Sequence, residues 1–179
     1  MLRRSPGPKI HWTFDKSRVT PTEVLMSIID ARLKTLGVTL PTPPKPVASY
    51  VPFTICGNQV FISGQVPLAD GALKYVGKLG ADFSIEMGQA AAQLCAINVL
   101  SVLKMACDGD LDKVVRCLKV TVFINATPDY DKHPEVANGA SDLFAAAFGD
   151  AGKHARAAVG MGSLPRGVAV EVDAIFEIQ

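Results

Sequence analysis

A chain of 179 residues that is 49% hydrophobic can build one ordinary domain with a full core, or one domain with an appendage, but not two independent domains. Lys and Arg total 18 against 17 Asp and Glu, so a formal charge of +1 supplies no overall basic field to recruit nucleic acid. No stretch approaches the roughly 20 uninterrupted apolar residues of a membrane span, and Cys56, Cys95, Cys107 and Cys117 form no C-x-x-C pair and have no histidine at zinc-ligand spacing.

In chain order, residues 1–19 come first, with Arg3, Arg4, Lys9, Lys16 and Arg18 against the single acid Asp15. Pro6 and Pro8 interrupt any amphipathic period there. A mitochondrial presequence, an expression remnant and a retained arm docking on a protein partner compete as readings, and the prolines favour the retained arm. Thr20-Pro21-Thr22-Glu23 reads as a capping box, with Leu25, Ile28, Ile29, Leu33 and Leu36 at helical spacing and Gly37 as the left-handed stop. The spacing predicts a helix over 21–36. "LPTPPKPVASY" then forbids regular structure and forms a linker, so 20–49 is an N-terminal helix with a proline-rich connection to the main domain, 50–179.

From Tyr50 the pattern alternates. "YVPFTIC" and "QVFISGQVP" flank a Gly57-Asn58 turn and predict a hairpin, followed by the loop-like "LADGALKYVGKLGADF". A long helix is expected from Ser84 to about Ala106, with Met87, Ala91, Leu94, Ile97 and Leu103 as its stripe and Gly109 beyond its end. "VVRCLKVTVFIN" (114–125) reads as an interior strand covered on both faces, and a second helix is expected from Pro134 to Phe148, stopped by Gly149. Strands over 155–162 and 168–178, turned by Leu164-Pro165-Arg166-Gly167, close the chain as a hairpin. The order is ββαβαββ, an α+β layer with both helices on one side of the sheet. Its other face is too apolar to stay in water, which points to oligomerisation through the sheet. The cysteines, all inside apolar runs, read as reduced core thiols in a reducing compartment, and the protein as soluble.

No G-x-S-x-G elbow, P-loop, H-E-x-x-H or G-x-G-x-x-G carries chemistry here. His11 and His133 read as solvated or capping residues, while the role of His154 stays open. Arg156 is the residue that asks for an explanation. A permanently charged fork in "HARAAV" must meet an anion or carbonyls, because burying it unpaired would cost several kcal/mol. Glu171, Asp173 or Asp142 could neutralise it internally, or it could hold a ligand carboxylate. Alternation puts Glu171, Asp173 and Glu177 opposite Val170, Val172, Ala174 and Phe176. Whether Arg156 and Glu171 share a face depends on register, which a one-residue slip reverses.

The ordered series "SGQVP", "VTVFI", "VANGASDLF", "HARAAV", "LP" and "VAVEVDAI", over about Tyr50 to Ile178, resembles the RidA family, also called YjgF-like or L-PSP proteins. "LGVTLP", "DGALKYVGKLG" and the proline linker resemble one subgroup of it, with an N-terminal helix. The resemblance implies the chorismate-mutase-like ββαβαββ fold, a homotrimer with clefts between subunits, and a cofactor-free, metal-free hydrolase of the 2-iminobutanoate/2-iminopropanoate deaminase kind. Such enzymes convert 2-aminoacrylate-type enamines and imines to 2-keto acids and ammonia. It further implies that Arg156 holds the substrate carboxylate and Glu171 activates water. Ser63 and Gly64 would lie against the substrate, Asn138 would hydrogen-bond across the cleft, Tyr50 would close it from a neighbouring subunit, and Pro165 would shape the turn below. Two departures accompany the match: Ala158 replaces the usual cysteine, and "GKHA" precedes Arg156, expected to add positive charge from Lys153 and His154 near the cleft. A non-catalytic binding or scaffold trimer is the alternative, and RNA cleavage ranks last for want of basic charge and stacking aromatics. The expected compartment is the cytoplasm or the mitochondrial matrix.

Overall fold

The computed structural model describes residues 27–43 and 49–179. The basic arm, the predicted Thr20 cap and the linker prolines Pro44 and Pro46 lie outside the described residues. Within them, Ser27 caps helix α1 (Ile28–Thr35), its hydroxyl accepting the Asp30 N–H at 3.0 Å, so the helix begins later than the 21–36 spacing predicts. The carboxylate of Asp112 accepts the amides of Ile28 (2.8 Å) and Ile29 (3.0 Å), groups a helix start leaves without partners. Ile29 and Leu33 are buried, and Asp30 pairs with Lys104 at 2.8 Å. Gly37, at φ +71, ends the helix as predicted.

Gly57 (φ +62) turns strand β1 (Phe53–Cys56) onto β2 (Gln59–Gln65), the hairpin that Gly57-Asn58 predicts. Asp70 and Gly71, at φ +54 and +73, then reverse the chain between the short strands β3 (Leu68–Ala69) and β4 (Ala72–Leu73). That small hairpin lies inside what composition reads as loop.

Helix α2 (Ile85–Ala106) is capped by Ser84, whose hydroxyl accepts the Met87 N–H. Its buried stripe is rotated from the predicted one: Met87 is exposed and Leu94 and Ile97 are half-buried, whereas Ala91, Ala92, Cys95, Ala96, Val99 and Leu100 are fully enclosed. Small side chains allow close approach, so the alanine edge faces inward. By length and mean hydropathy (1.2) α2 could cross a membrane, but its apolar face is taken up by this core.

Strand β5 (Val114–Asn125), helix α3 (His133–Phe148), β6 (Ala155–Met161) and β7 (Val170–Ile178) complete a five-stranded mixed sheet of order β1-β2-β7-β5-β6. β5 and β6 run parallel and the other neighbours antiparallel. The fold is therefore the expected α+β, chorismate-mutase-like unit, but β6 and β7 are not a hairpin. The crossover through α3 returns β6 to the far side of β5, which leaves β5 between the two strands and β6 at an edge. β5 is interior by position, yet one face alone is covered: Cys117, Val120, Val122 and Ile124 are buried, while Lys119, Thr121 and Phe123 on the other face are partly open.

The covered face packs Val60, Val120, Val172 and Phe176 beneath α2 and α3, with the Phe144 and Phe176 rings edge-on at 5.6 Å. The helices meet at Gly139, where a Cβ would collide with the Gln89 carbonyl. Cys95, Cys107 and Cys117 are buried in this core as expected, and burial pushes the Cys117 thiol up to about 12. Cys56 departs from that expectation, because strand β1 is an edge and leaves it exposed.

Candidate functional site

Register fixes where Arg156 points. It pairs with Val120 on β5, which pairs with Ala174 on β7, and both are buried on the helix-covered face. Because β6 is an edge strand, the guanidinium emerges there beneath α3 while its stem stays inside. Asn138 and Ser141, one turn apart on α3, meet it: Nη1 donates to Asn138 Oδ1 at 2.8 Å and to Ser141 Oγ at 3.1 Å, and Nη2 donates to the Pro134 carbonyl at 3.3 Å. All three acceptors are neutral. Among the described residues no carboxylate forms an ion pair with Arg156, so Glu171, Asp173 and Asp142 do not neutralise it.

Glu171 faces the other way. It pairs with Phe123, which pairs with Val159, on the uncovered side of the sheet. Between Ile62 and Gln65 strand β2 gains one residue over β7, a bulge at Ser63-Gly64. The carboxylate of Glu171 occupies the space a Cβ at Gly64 would fill. A cleft of about 570 Å³ opens at this point, lined by Tyr50, Gly64, Leu73, Pro165, Arg166 and Glu171. Burial, with the neighbouring Asp173 carboxylate adding to it, raises the Glu171 carboxyl above its ordinary value. The turn carrying Pro165 is anchored where Gly77 N–H donates to the Gly167 carbonyl and Ala169 N–H to the Tyr75 carbonyl, both at 2.8 Å.

Of the residues singled out from sequence, Tyr50, Gly64, Pro165 and Glu171 line this one cleft, and Asn138 joins Arg156. Ser63 sits at the bulge with its hydroxyl donating to the Val51 carbonyl at 2.7 Å. Within one chain the two groups are on opposite faces of the sheet. The extra positive charge expected from "GKHA" is offset: Lys153 pairs with Asp150 at 2.7 Å on the surface, and burial lowers the His154 pKa and so favours the neutral ring. His133 packs its ring over Gly160, against Tyr130.

The family model described as "YjgF/chorismate_mutase-like, putative endoribonuclease" matches residues 30–172. The chain belongs to this YjgF-like family. Protein TCP17 of Trypanosoma cruzi is 45% identical over 151 residues, covering 84% of this chain and 94% of its own. The RutC family protein PH0854 of Pyrococcus horikoshii is 31% identical over 132 residues, covering 74% and 89%. Among solved structures, protein Atu1372 of Agrobacterium tumefaciens is 47% identical with a TM-score of 0.80, covering 84% and 92%.

Two residues of this YjgF-like chain escape a reading from sequence, and a third has its role left open there. Arg166 lines the Glu171 cleft from a left-handed position (φ +56) in the "LPRG" turn, where the adjacent Gly167 is the more obvious special residue. Ser141 is hidden in the helix pattern, although its spacing of three from Asn138 puts both on one face. His154 is two residues from Arg156, and strand alternation sends both toward α3.

Proposed function

We propose that this YjgF-like protein is a cofactor-free enamine/imine deaminase that hydrolyses 2-aminoacrylate-type intermediates to 2-keto acids and ammonia. We further propose that it acts as a homotrimer, in which the Arg156 half-site of one protomer meets the Glu171 half-site of the next. The observation that carries the reading is the neutral cradle of Arg156. A guanidinium held by an amide, a hydroxyl and a backbone carbonyl keeps its full charge for a ligand carboxylate.

The chemistry asks little else of the protein. In the imine tautomer, CH3–C(=NH)–COO⁻, the carbon is already electrophilic. With its carboxylate anchored by Arg156, a water adds to that carbon while Glu171 takes one of the water's protons. Glu171 returns that proton to the nitrogen to give the neutral carbinolamine; the carbinolamine hydroxyl proton then passes through Glu171 to the same nitrogen as the C–N bond breaks, and pyruvate and ammonia leave. A carboxyl whose pKa is raised by burial is a stronger base than an ordinary glutamate when ionised, and this suits the role. Anchoring converts the attack into a step between held partners.

Assembly is supported by the uncovered sheet face, where Phe61 is 39% and Val159 40% exposed. Opposite-facing half-sites can contact one ligand only with a second copy present. The test is ammonia release from freshly generated 2-aminoacrylate. Arg156→Ala is expected to lower kcat/KM by on the order of 100-fold, and unchanged turnover in that variant would overturn the assignment.

A further inference from the structure

A guanidinium carries five N–H donors. In Arg156, Nη1 has two acceptors, Asn138 Oδ1 and Ser141 Oγ, and Nη2 has one, the Pro134 carbonyl. Among the described residues this leaves Nε–H and the second Nη2 hydrogen, adjacent donors along one edge, the pair that grips a carboxylate through two bonds. That edge is available only while Nη1 is held from behind, and Ser141 supplies half of the hold.

The Ser141 oxygen accepts from Arg156 most readily when its own hydrogen points elsewhere. Its other partner is His154 Nε2, at 3.0 Å. His154 Nδ1 lies 2.7 Å from the Gly152 carbonyl, which can only accept, so Nδ1 bears the proton and Nε2 of the neutral ring is a bare lone pair. The bonds then run in one consistent direction: His154 Nδ1–H to the Gly152 carbonyl, Ser141 Oγ–H to His154 Nε2, and Arg156 Nη1–H to Ser141 Oγ. The Phe144 ring, edge-on to the imidazole with centroids 6.0 Å apart, restricts its rotation.

We propose that Ser141 and His154 are positioning residues for the carboxylate anchor, and that the proton on His154 sets how tightly the Arg156 fork holds a small carboxylate. The inference rests on the reading of Arg156 as that anchor. The groups facing His154 are few. Helix α3 presents Ser141 and Phe144, the turn after it presents the Gly152 carbonyl, and β6 presents Arg156. Asp150 and Lys153 of that turn pair with each other, and Lys119 of β5 lies on the opposite face of the sheet. Burial and the Arg156 charge both favour the neutral ring, the Gly152 carbonyl opposing them. Protonation adds a second cation beside Arg156 and reverses the Ser141–His154 bond, Nε2–H then donating to Ser141 Oγ while Ser141 gives up its own donation. In a half-buried site the charge term is the larger, so a bound carboxylate and the His154 proton stabilise each other.

The test is pyruvate binding by calorimetry between pH 5 and 7.5. Wild type is expected to tighten by roughly fivefold toward acid, with the His154 pKa rising on saturation by the same factor. His154→Gln keeps an acceptor for Ser141 but should lose this His-dependent part of the profile. Ser141→Ala should weaken binding by about three- to tenfold at every pH, and Ser141→Thr should restore it. The same pH profile in wild type and His154→Gln, or wild-type affinity in Ser141→Ala, would overturn the relay while leaving the anchor intact. Binding indifferent to Arg156→Ala would instead remove the anchor reading and the relay with it. Long-range ¹⁵N spectra of the wild-type imidazole need no variant: an Nδ1–H tautomer is expected, and an Nε2–H tautomer would refute the bond direction.

Discussion

Arg156 on β6 and Glu171 on β7 are both charged residues in otherwise apolar strands, and the fold accommodates them differently. Arg156 reaches from the helix-covered face at an edge strand and is surrounded by neutral oxygens from α3. Glu171 sits on the uncovered face over a glycine bulge, with no hydrogen bond or ion pair to a cation among the described residues, and desolvation raises its pKa. An internal salt bridge would have satisfied both charges and disabled both. Holding each with dipoles or partial burial keeps one as a full cation and the other as a usable base, at some cost in stability. The contrast also assigns dependence: the cationic half relies on α3 staying seated, the acidic half on a gap in β2.

Gly139→Ala breaks the first dependence and carries the largest expected effect. The new Cβ would meet the Gln89 carbonyl, backbone that cannot move aside, so α3 must lift from α2. A loss on the order of 3 kcal/mol in urea unfolding is expected, and a wild-type unfolding midpoint would mean the helix contact is looser than described. Gly64→Ala acts on the second. Here the obstacle is the end of a flexible side chain, so Glu171 swings out while the fold persists. Stability should change by less than about 1 kcal/mol, while ammonia release falls on the order of 100-fold. Full turnover in Gly64→Ala would detach Glu171 from the chemistry.

Much of the element order was legible because its boundaries are chemically marked: Gly57-Asn58, Ser84 and Gly149 end or begin elements where they were expected. Pairing was not legible in the same way. Alternation gives the face of a strand but not its neighbours, so β6 and β7 read as a hairpin although β5 separates them. The rotated stripe of α2 has a related cause, since a run rich in alanine offers little hydropathy contrast and close packing decides the buried edge. For the site, "QVFISGQVP" reads as a plain hairpin strand, and the structure alone shows the bulge at Ser63-Gly64 that explains why a carboxylate fits there. The Arg156 cradle depended on docking α3 over β6, which no local spacing encodes.

Glu171→Gln sharpens the comparison through the smallest effect. In the unfolded chain this carboxyl loses its proton around its ordinary value of 4.5, whereas in the fold burial and Asp173 delay that loss to higher pH. Stability from this group is therefore complete below the unfolded value and is lost as pH rises through the folded one. Glutamine cannot ionise, so the variant escapes the loss. The stability of Glu171→Gln relative to wild type, from urea unfolding at matched pH, should rise as the pH climbs past 4.5 and level off once the folded carboxyl has ionised. A flat difference for Glu171→Gln would show a carboxyl that water reaches freely, and the physical basis for treating it as a raised-pKa base would go with it.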